Sequence, residues 1–290
     1  MKFSDLYKNG QFRYSVELFP PKSPEGVDAL IQEVKRLCGI QPAYFSVTYG
    51  AMGSTRDLTK NIVLRLKKET KVPIASHFTC IASNRDQIKR YIEEILSQGV
   101  DLIVALRGDI PGNLKNYVPS ADGFSHANEL VTFLKTHYPQ LSIAVAGYPE
   151  KHLEAASSEE DLKNLQRKVE AGADVIITQL FFDNEDFFNF VQRVRERGIK
   201  VPILPGILPV QNLKQVEKFT QMCGAKFPKP LQQRLINCQN DANQMKAVGV
   251  EHATSQCREL IAKQVTGIHF YSLNKADSVL KIVANTLNKS

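Results

Sequence analysis

The sequence predicts an α/β fold, a (β/α)8 TIM barrel, and three observations predict it. Short β-rich apolar runs recur along the chain, with helix-periodic segments between them. The runs are largely continuous rather than alternating, which is how strands read when both faces are covered. The first four are spaced by roughly thirty residues, the length of a βαβ unit.

Strands are expected near Ser15–Phe19, Tyr44–Tyr49, Pro73–Thr79, Leu102–Arg107, Ile143–Tyr148, Val175–Phe181, Pro202–Ile207 and Ile268–Leu273. The segments between them carry apolar stripes at helical spacing. Val27, Leu30, Ile31 and Val34 form one, entered through Ser23 as N-cap with Pro24 at the first helical position. Ile88, Tyr91, Ile92 and Ile95 form another behind Ser83, with Asp86 as the capping-box acid. Leu162, Leu165 and Val169 form a third behind Ser158. Eight strands alternating with helices is the arithmetic of this barrel. The last interval is about twice the others, and the break Lys226-Phe227-Pro228-Lys229-Pro230 marks an extra helical insertion between strands 7 and 8. No Gly/Ser linker interrupts the pattern, so residues 1–290 are expected to form one domain.

Composition narrows the function classes. With 43% hydrophobic and 23% charged residues, the chain has a globular composition with ample core material. No run is long and apolar enough for a membrane span, and the N-terminus lacks a secretory h-region, so a cytoplasmic location is expected. The net charge is +7, but Lys and Arg are scattered beside Glu, as in "RLKKE" and "RVRERG". That pattern reads as solvated helix faces rather than a nucleic-acid footprint, although an anionic ligand would suit it. The five cysteines are widely spaced without a CxxC pair, which favours reduced core thiols over disulfides or zinc.

In a barrel of this kind, chemistry sits where strands end in loops at the C-terminal rim. Polar residues ending apolar strands are therefore the candidates. These are Glu17, Thr48, Tyr49, His77, Thr79, Arg107, Asp109, Tyr148, His152, Gln179, Tyr271 and Asn274. They contain no His and carboxylate cluster at ligand spacing, so no metal is expected. There is no nucleophile elbow, P-loop or Rossmann glycine fingerprint either. Each candidate alone has a plain structural alternative. Glu17 could pair with a core base, His77 could be a satisfied core histidine, Gln179 could bond a neighbouring loop, and Arg107 could pair with Asp109. As a ring on one rim, they are what an organic-cofactor site needs.

The blocks "VELFPPKSPEG", "FSVTYGAMGSTRD", "SHFTC", "VALRGDIPG", "VAGYPEKH", "DLKNLQRKVEAGADVIITQLFFD", "PGILPVQNLKQVEKF" and "HFYSLN" resemble, in order, those of the methylenetetrahydrofolate reductase family. The similarity runs over essentially the whole chain. It implies the short bacterial-type form, a single catalytic barrel without a regulatory domain. It also implies bound FAD, NADH or NADPH as co-substrate, and ping-pong reduction of 5,10-methylenetetrahydrofolate to 5-methyltetrahydrofolate, feeding methionine synthesis. Folate and nicotinamide would share one site in turn, in a cytoplasmic homo-oligomer.

By motif position, Glu17 matches the family's general acid, which protonates N10 of the folate so that an iminium forms at N5. Ser15, Glu17 and Phe19 share a strand face, so an apolar setting that favours a protonated carboxyl is expected. Flavin contacts would come from Thr48, Tyr49, Ala51, His77, Leu106, Arg107, Gly108 and Asp109. Further ones would come from His126, Ala127, Tyr148, His152, Ala155, Asp161, Asn164, Arg167 and Lys168. Arg167 and Lys168 could neutralise a pyrophosphate without a glycine loop. Asp109 would disfavour an anionic reduced flavin and stabilise the cationic iminium. Gln179, Gln215, Tyr271 and Lys275 match folate-contacting positions, and Phe219 an aromatic that packs on folate or nicotinamide. Two positions depart from the family pattern. His126 stands where Tyr is frequent, and Lys275 stands where Arg commonly meets the glutamate tail, losing the bidentate fork. The segment from Pro111 to Gly123 is assigned no role. Two other classes stay open: a barrel methyltransferase or pterin-binding enzyme without redox chemistry, and a basic binding protein.

Overall fold

The computed structural model describes residues 1–7, 10–21, 23, 25–49, 53–81, 83–109 and 122–287, with the side chains of 53–56 excepted. Eight strands close into a barrel in chain order: β1 (Arg13–Leu18), β2 (Phe45–Val47), β3 (Ile74–Thr79), β4 (Leu102–Leu106), β5 (Ser142–Gly147), β6 (Val175–Leu180), β7 (Ile203–Ile207) and β8 (Gly267–Tyr271). All neighbours pair in parallel, including β8 with β1. A short α1 (Phe3–Leu6) precedes β1. One helix follows each of the first six strands: α2 (Glu25–Leu37), α3 (Gly53–Glu69), α4 (Arg85–Ser97), α5 (Ala127–His137), α6 (Ser158–Glu170) and α7 (Asn184–Glu196). After β7 come α8 (Leu213–Cys223), α9 (Lys229–Asn237) and α10 (Ala242–Ala262), and after β8 comes α11 (Ala276–Leu287). The expected insertion is thus two helices beyond the repeat rather than one. Pro228 caps the start of α9, which is why the chain breaks there.

Local starts differ from expectation by one residue. The side chain of Asn84, not Ser83, caps α4, accepting from Gln87 N at 2.9 Å while Gln87 Oε1 accepts from Asn84 N at 3.1 Å. Ser83 instead donates back to Thr79 O at 3.5 Å. Ser157 caps α6 by accepting from Glu160 N at 3.1 Å, leaving Ser158 as its first residue. Helix α2 begins at Glu25, and Pro24 lies outside the described residues.

Register decides which side chains face the lumen, because strand neighbours at one level point to the same side. Glu17 is level with Ser46 and Tyr271, Ser15 with His269, and Ser46 with Ala75. His77 is level with Val104, Val104 with Ala144, Ala144 with Val175, and Ile177 with Leu204. Gly206, level with His269, completes the circuit. The lumen is therefore filled by one interior cluster that includes Tyr44, Leu102, Val104, Val175 and Leu204, stoppered below by Phe3 and Tyr7 around α1. A larger cluster lies between the sheet and the helices. A third, with Leu180, Val210, Leu231 and Met245, seats the α8–α10 insertion beside the rim. The cysteines are all free, with Cys80, Cys238 and Cys257 buried.

Candidate active site

Glu17 is buried in β1 with 7% exposure. Two imidazoles face one of its oxygens: His77 Nε2 stands 3.4 Å from Oε2 and His269 Nε2 stands 3.7 Å from it. Neither Nε2 has a hydrogen-bond partner. Burial holds the His77 ring down at about 4, against the pull of Glu17, so at neutral pH it meets the carboxyl uncharged. The neighbourhood is more polar than the expected aromatic one. Phe19 is tied instead by its backbone, donating to Asn274 Oδ1 at 2.8 Å and accepting from Asn274 Nδ2 at 2.7 Å. Ser272 donates to Glu17 O at 2.7 Å, so the β8 loop fixes the end of β1.

Around the rim, Thr48 follows β2, with its amide donating to Leu18 O at 2.9 Å. The Tyr49 ring packs outward on Phe78 and Tyr91, at 4.7 and 5.4 Å between centroids, rather than into the lumen. Ala51 lies outside the described residues. Leu106 ends β4 within the lumen cluster. Gly108 has φ +85°, and a Cβ there would lie 2.8 Å from Thr79 Cβ, so only glycine lets this loop lie against β3. Thr79 Oγ1 is buried without a partner.

Arg107 does not pair with Asp109. Its guanidinium forms a two-pronged bridge to Glu154 from the loop after β5, with Nη2 to Oε1 at 2.8 Å. Asp109 is exposed and has no ion pair among the described residues.

The β5–α6 corner is built around Asp161, which accepts from His152 N at 3.1 Å. Glu154 N donates to His152 Nδ1 at 3.1 Å, which places that ring's proton on Nε2. Tyr148 stands edge-on to His152 at 4.6 Å, and burial, followed by the Asp161 charge, raises its phenol. Ala155 N donates to His152 O at 3.0 Å. Lys168 is half-buried, its ammonium donates to Ala146 O at 2.6 Å, and desolvation lowers it to about 8 against the opposing pull of Asp161. Arg167 is exposed and held by Asn164 and Glu160 at 2.6 and 3.1 Å. His126 is the exposed N-cap residue of α5, followed by Ala127. Glu129 accepts from its amide at 3.2 Å.

Among the residues expected to contact folate, the Gln179 carbonyl oxygen folds back to accept from Leu180 N at 2.9 Å, beside a register shift in β6. Tyr271 lies over Gly206 and donates to Thr178 O at 2.6 Å. Gln215 and Phe219 share α8, with Phe219 packed against the insertion core. Lys275 is exposed just past β8.

Sequence reasoning passed over His269, Glu154 and Thr178. His269 sits two residues before Tyr271, so the period of two from a residue already singled out was its signal. Among the described residues, no group of three or more His, Cys, Asp or Glu side chains converges as a metal site. No helix of the described residues is long and apolar enough to cross a membrane.

These residues suit an elongated anionic cofactor. Lys168 supplies a half-buried cation, Arg107 a second one paired to the exposed Glu154 carboxylate, and His77 and Thr79 unpartnered buried polar atoms. Gly108 supplies a backbone approach without a Cβ.

Fold and rim together define a class: a (β/α)8 barrel with a buried carboxyl, Glu17, beneath a polar mouth. The family model described as methylenetetrahydrofolate reductase matches residues 2–287, and the chain belongs to that family. It is 40% identical over 268 residues to the 5,10-methylenetetrahydrofolate reductase of Escherichia coli, covering 92% of this chain and 88% of that one. It is 37% identical over 294 residues to methylenetetrahydrofolate reductase (NADH) 1 of Arabidopsis thaliana. That match covers 98% of this chain but spans 50% of the plant protein. A solved Clostridium thermocellum protein, described as binding two copies of 5-methyl-5,6,7,8-tetrahydrofolic acid, superposes with TM-score 0.69 at 17% identity, over 99% of this chain and 98% of that one. That likeness is one of fold alone.

Proposed function

We propose that the protein is a flavin-dependent reductase that converts 5,10-methylenetetrahydrofolate to 5-methyltetrahydrofolate with a reduced nicotinamide as donor. The observation that carries this is the buried Glu17 carboxyl in the lumen, flanked on Oε2 by two imidazoles. Glu17 gives its proton to the folate nitrogen that leaves the bridging carbon, keeping the electron pair as a carboxylate. General acid catalysis of this kind contributes roughly 10²–10⁴ in rate. FAD, when bound, would supply the hydride chemistry. Lys168 and Arg107 would hold its phosphates, with Asp161 and His152 shaping the pocket and Thr48, His77 and Gly108 lining the ring end. The exposed Asp109 carboxylate would favour the cationic folate over an anionic flavin. Tyr271, Gln179, Gln215, Phe219 and Lys275 would form the folate side, which nicotinamide occupies in turn. NADH is the first donor to test, because the Arabidopsis relative is named for it. A cytoplasmic homo-oligomer completes the proposal.

The test is a visible spectrum of the FAD-reconstituted protein, taken before and after anaerobic NADH and then after methylenetetrahydrofolate. Bleaching followed by recolouring is expected. A protein that stays colourless after reconstitution would favour a pterin-binding barrel without redox chemistry.

A further inference from the structure

Glu150 stands between Tyr148 and His152 in the loop after β5, yet neither the cofactor side nor the folate side uses it. Its half-buried carboxylate accepts from Lys226 N at 2.6 Å, in the turn between α8 and α9. Lys226 also reaches back, its Nζ donating to Asp186 Oδ1 at 2.5 Å in the first turn of α7. Seven residues on, α7 grips the β5 loop itself, with Arg193 Nη2 donating to Pro149 O at 3.1 Å. Seven residues are two helical turns, so Asp186 and Arg193 lie along one side of α7. The loop and the turn are thus each fastened to one rigid helix, and Glu150 closes the triangle. The fit is close: a Cβ on Gly224 would stand 2.6 Å from Leu153 Cδ2. One turn earlier in α8 is Phe219, whose carbonyl accepts from Cys223 Sγ at 2.9 Å.

Burial pushes the Glu150 carboxyl up to about 6, with the Lys226 amide opposing the shift. It is therefore largely ionised at neutral pH, and its bond to that amide is charge-assisted. Asp186 and Asp183 from α7 add like charge around it, against the single cation of Lys226. A half-buried carboxylate beside two others forfeits stability unless its geometry is used. We propose that Glu150 is a positioning residue: by holding the Lys226 amide it fixes the end of α8 to the β5 loop, so that FAD uptake at Tyr148 and His152 steadies the helix carrying Gln215 and Phe219. The role rests on the reading of those residues as cofactor and folate contacts. Glu150 itself touches neither ligand and takes no part in the chemistry. Such coupling is reciprocal, so a ligand that steadies α8 tightens FAD by the same factor.

Amide hydrogen exchange over residues 219–228, with and without FAD and with no folate present, tests this directly. FAD should slow exchange there by about threefold to tenfold in the wild type, and not at all in Glu150→Ala. Glu150→Gln keeps an acceptor for the Lys226 amide and should behave as the wild type. In steady-state turnover of the FAD-loaded protein, Glu150→Ala should raise KM for NADH and for methylenetetrahydrofolate alike, by about threefold to tenfold. One helix serves both ligands in turn, so kcat should change little. FAD-dependent protection that survives in Glu150→Ala overturns the proposal, as do unchanged KM values or a Glu150→Gln that behaves as Glu150→Ala. Should Glu150→Ala fail to fold, Glu150→Asp keeps the charge, draws the acceptor back by one methylene and should give the same pattern at smaller amplitude. A wild type that takes up no FAD means that the flavoenzyme reading has failed. A wild type that binds FAD and reduces folate, with α8 exchange indifferent to FAD, means that only the role of Glu150 has failed.

Discussion

The two halves of the barrel interior are built differently. From β4 to β7 the lumen is lined by Leu102, Val104, Ala144, Val175, Ile177 and Leu204, all buried and apolar. From β8 round to β3 it is lined by His269, Tyr271, Ser15, Glu17, Ser46, His77 and Thr79. Polar atoms without partners collect in the second half: Ser46 Oγ, His77 Nε2, Thr79 Oγ1 and His269 Nε2. Each such atom forfeits stability, since its hydration is lost without a replacement bond. The apolar half offsets this by close packing, so one wall holds the barrel together while the other is free to be reactive.

Substitutions can break that division of labour. The largest effect is expected from Glu17→Gln on the polar wall: folate reduction should fall by roughly 10²–10⁴, while thermal denaturation moves little. Leu204→Ala on the apolar wall should do the reverse, costing ~2–5 kcal/mol of stability in denaturant titration with the turnover of folded protein retained. Gly206→Ala lies on the seam between the walls. Its Cβ would stand 2.6 Å from Tyr271 Cε2, so it should lower stability by about 1–3 kcal/mol and raise KM for the folate together.

Two smaller effects concern the rim. An anion beside Lys168 favours its protonated form, and burial has lowered that group to about 8. FAD affinity should therefore be greatest below that pH and decline as pH rises through it, by up to about tenfold per pH unit. Fluorescence titration of FAD should follow this decline in the wild type and not in Lys168→Met. Smallest is Glu154→Gln, which releases Arg107 from a partly exposed ion pair. Such pairs are worth ~0.2–1 kcal/mol, so FAD should bind no more than about fivefold tighter.

The barrel was legible in the sequence because covering both faces of a strand leaves an unmistakable apolar run. Strand ends were less so. Phe19, Tyr49, Arg107 and Tyr148 read as strand but lie just past it, because pairing stops where the loops turn outward while apolar character continues. The doubled interval between β7 and β8 revealed the insertion but not its division into α8, α9 and α10. Glu17 and Tyr271 were readable as lumen residues from alternation alone. The same alternation puts Thr48 inside and Tyr49 outside, and it reaches His269, one step below the rim where polar strand ends were sought. The Glu154 bridge to Arg107 was not readable, because it joins two loops whose approach only closure of the barrel determines.

Tyr271 also has a place in the history of such a molecule. Its hydroxyl reaches over Gly206 to Thr178 O, strapping β8 to β6 across the strand between them. A residue that straps the seam and is also proposed to meet the substrate exposes two traits to selection at once. Variants that reshape the folate side at this position will also slacken the barrel, so changes of substrate range here should arise only in backgrounds already stabilised elsewhere.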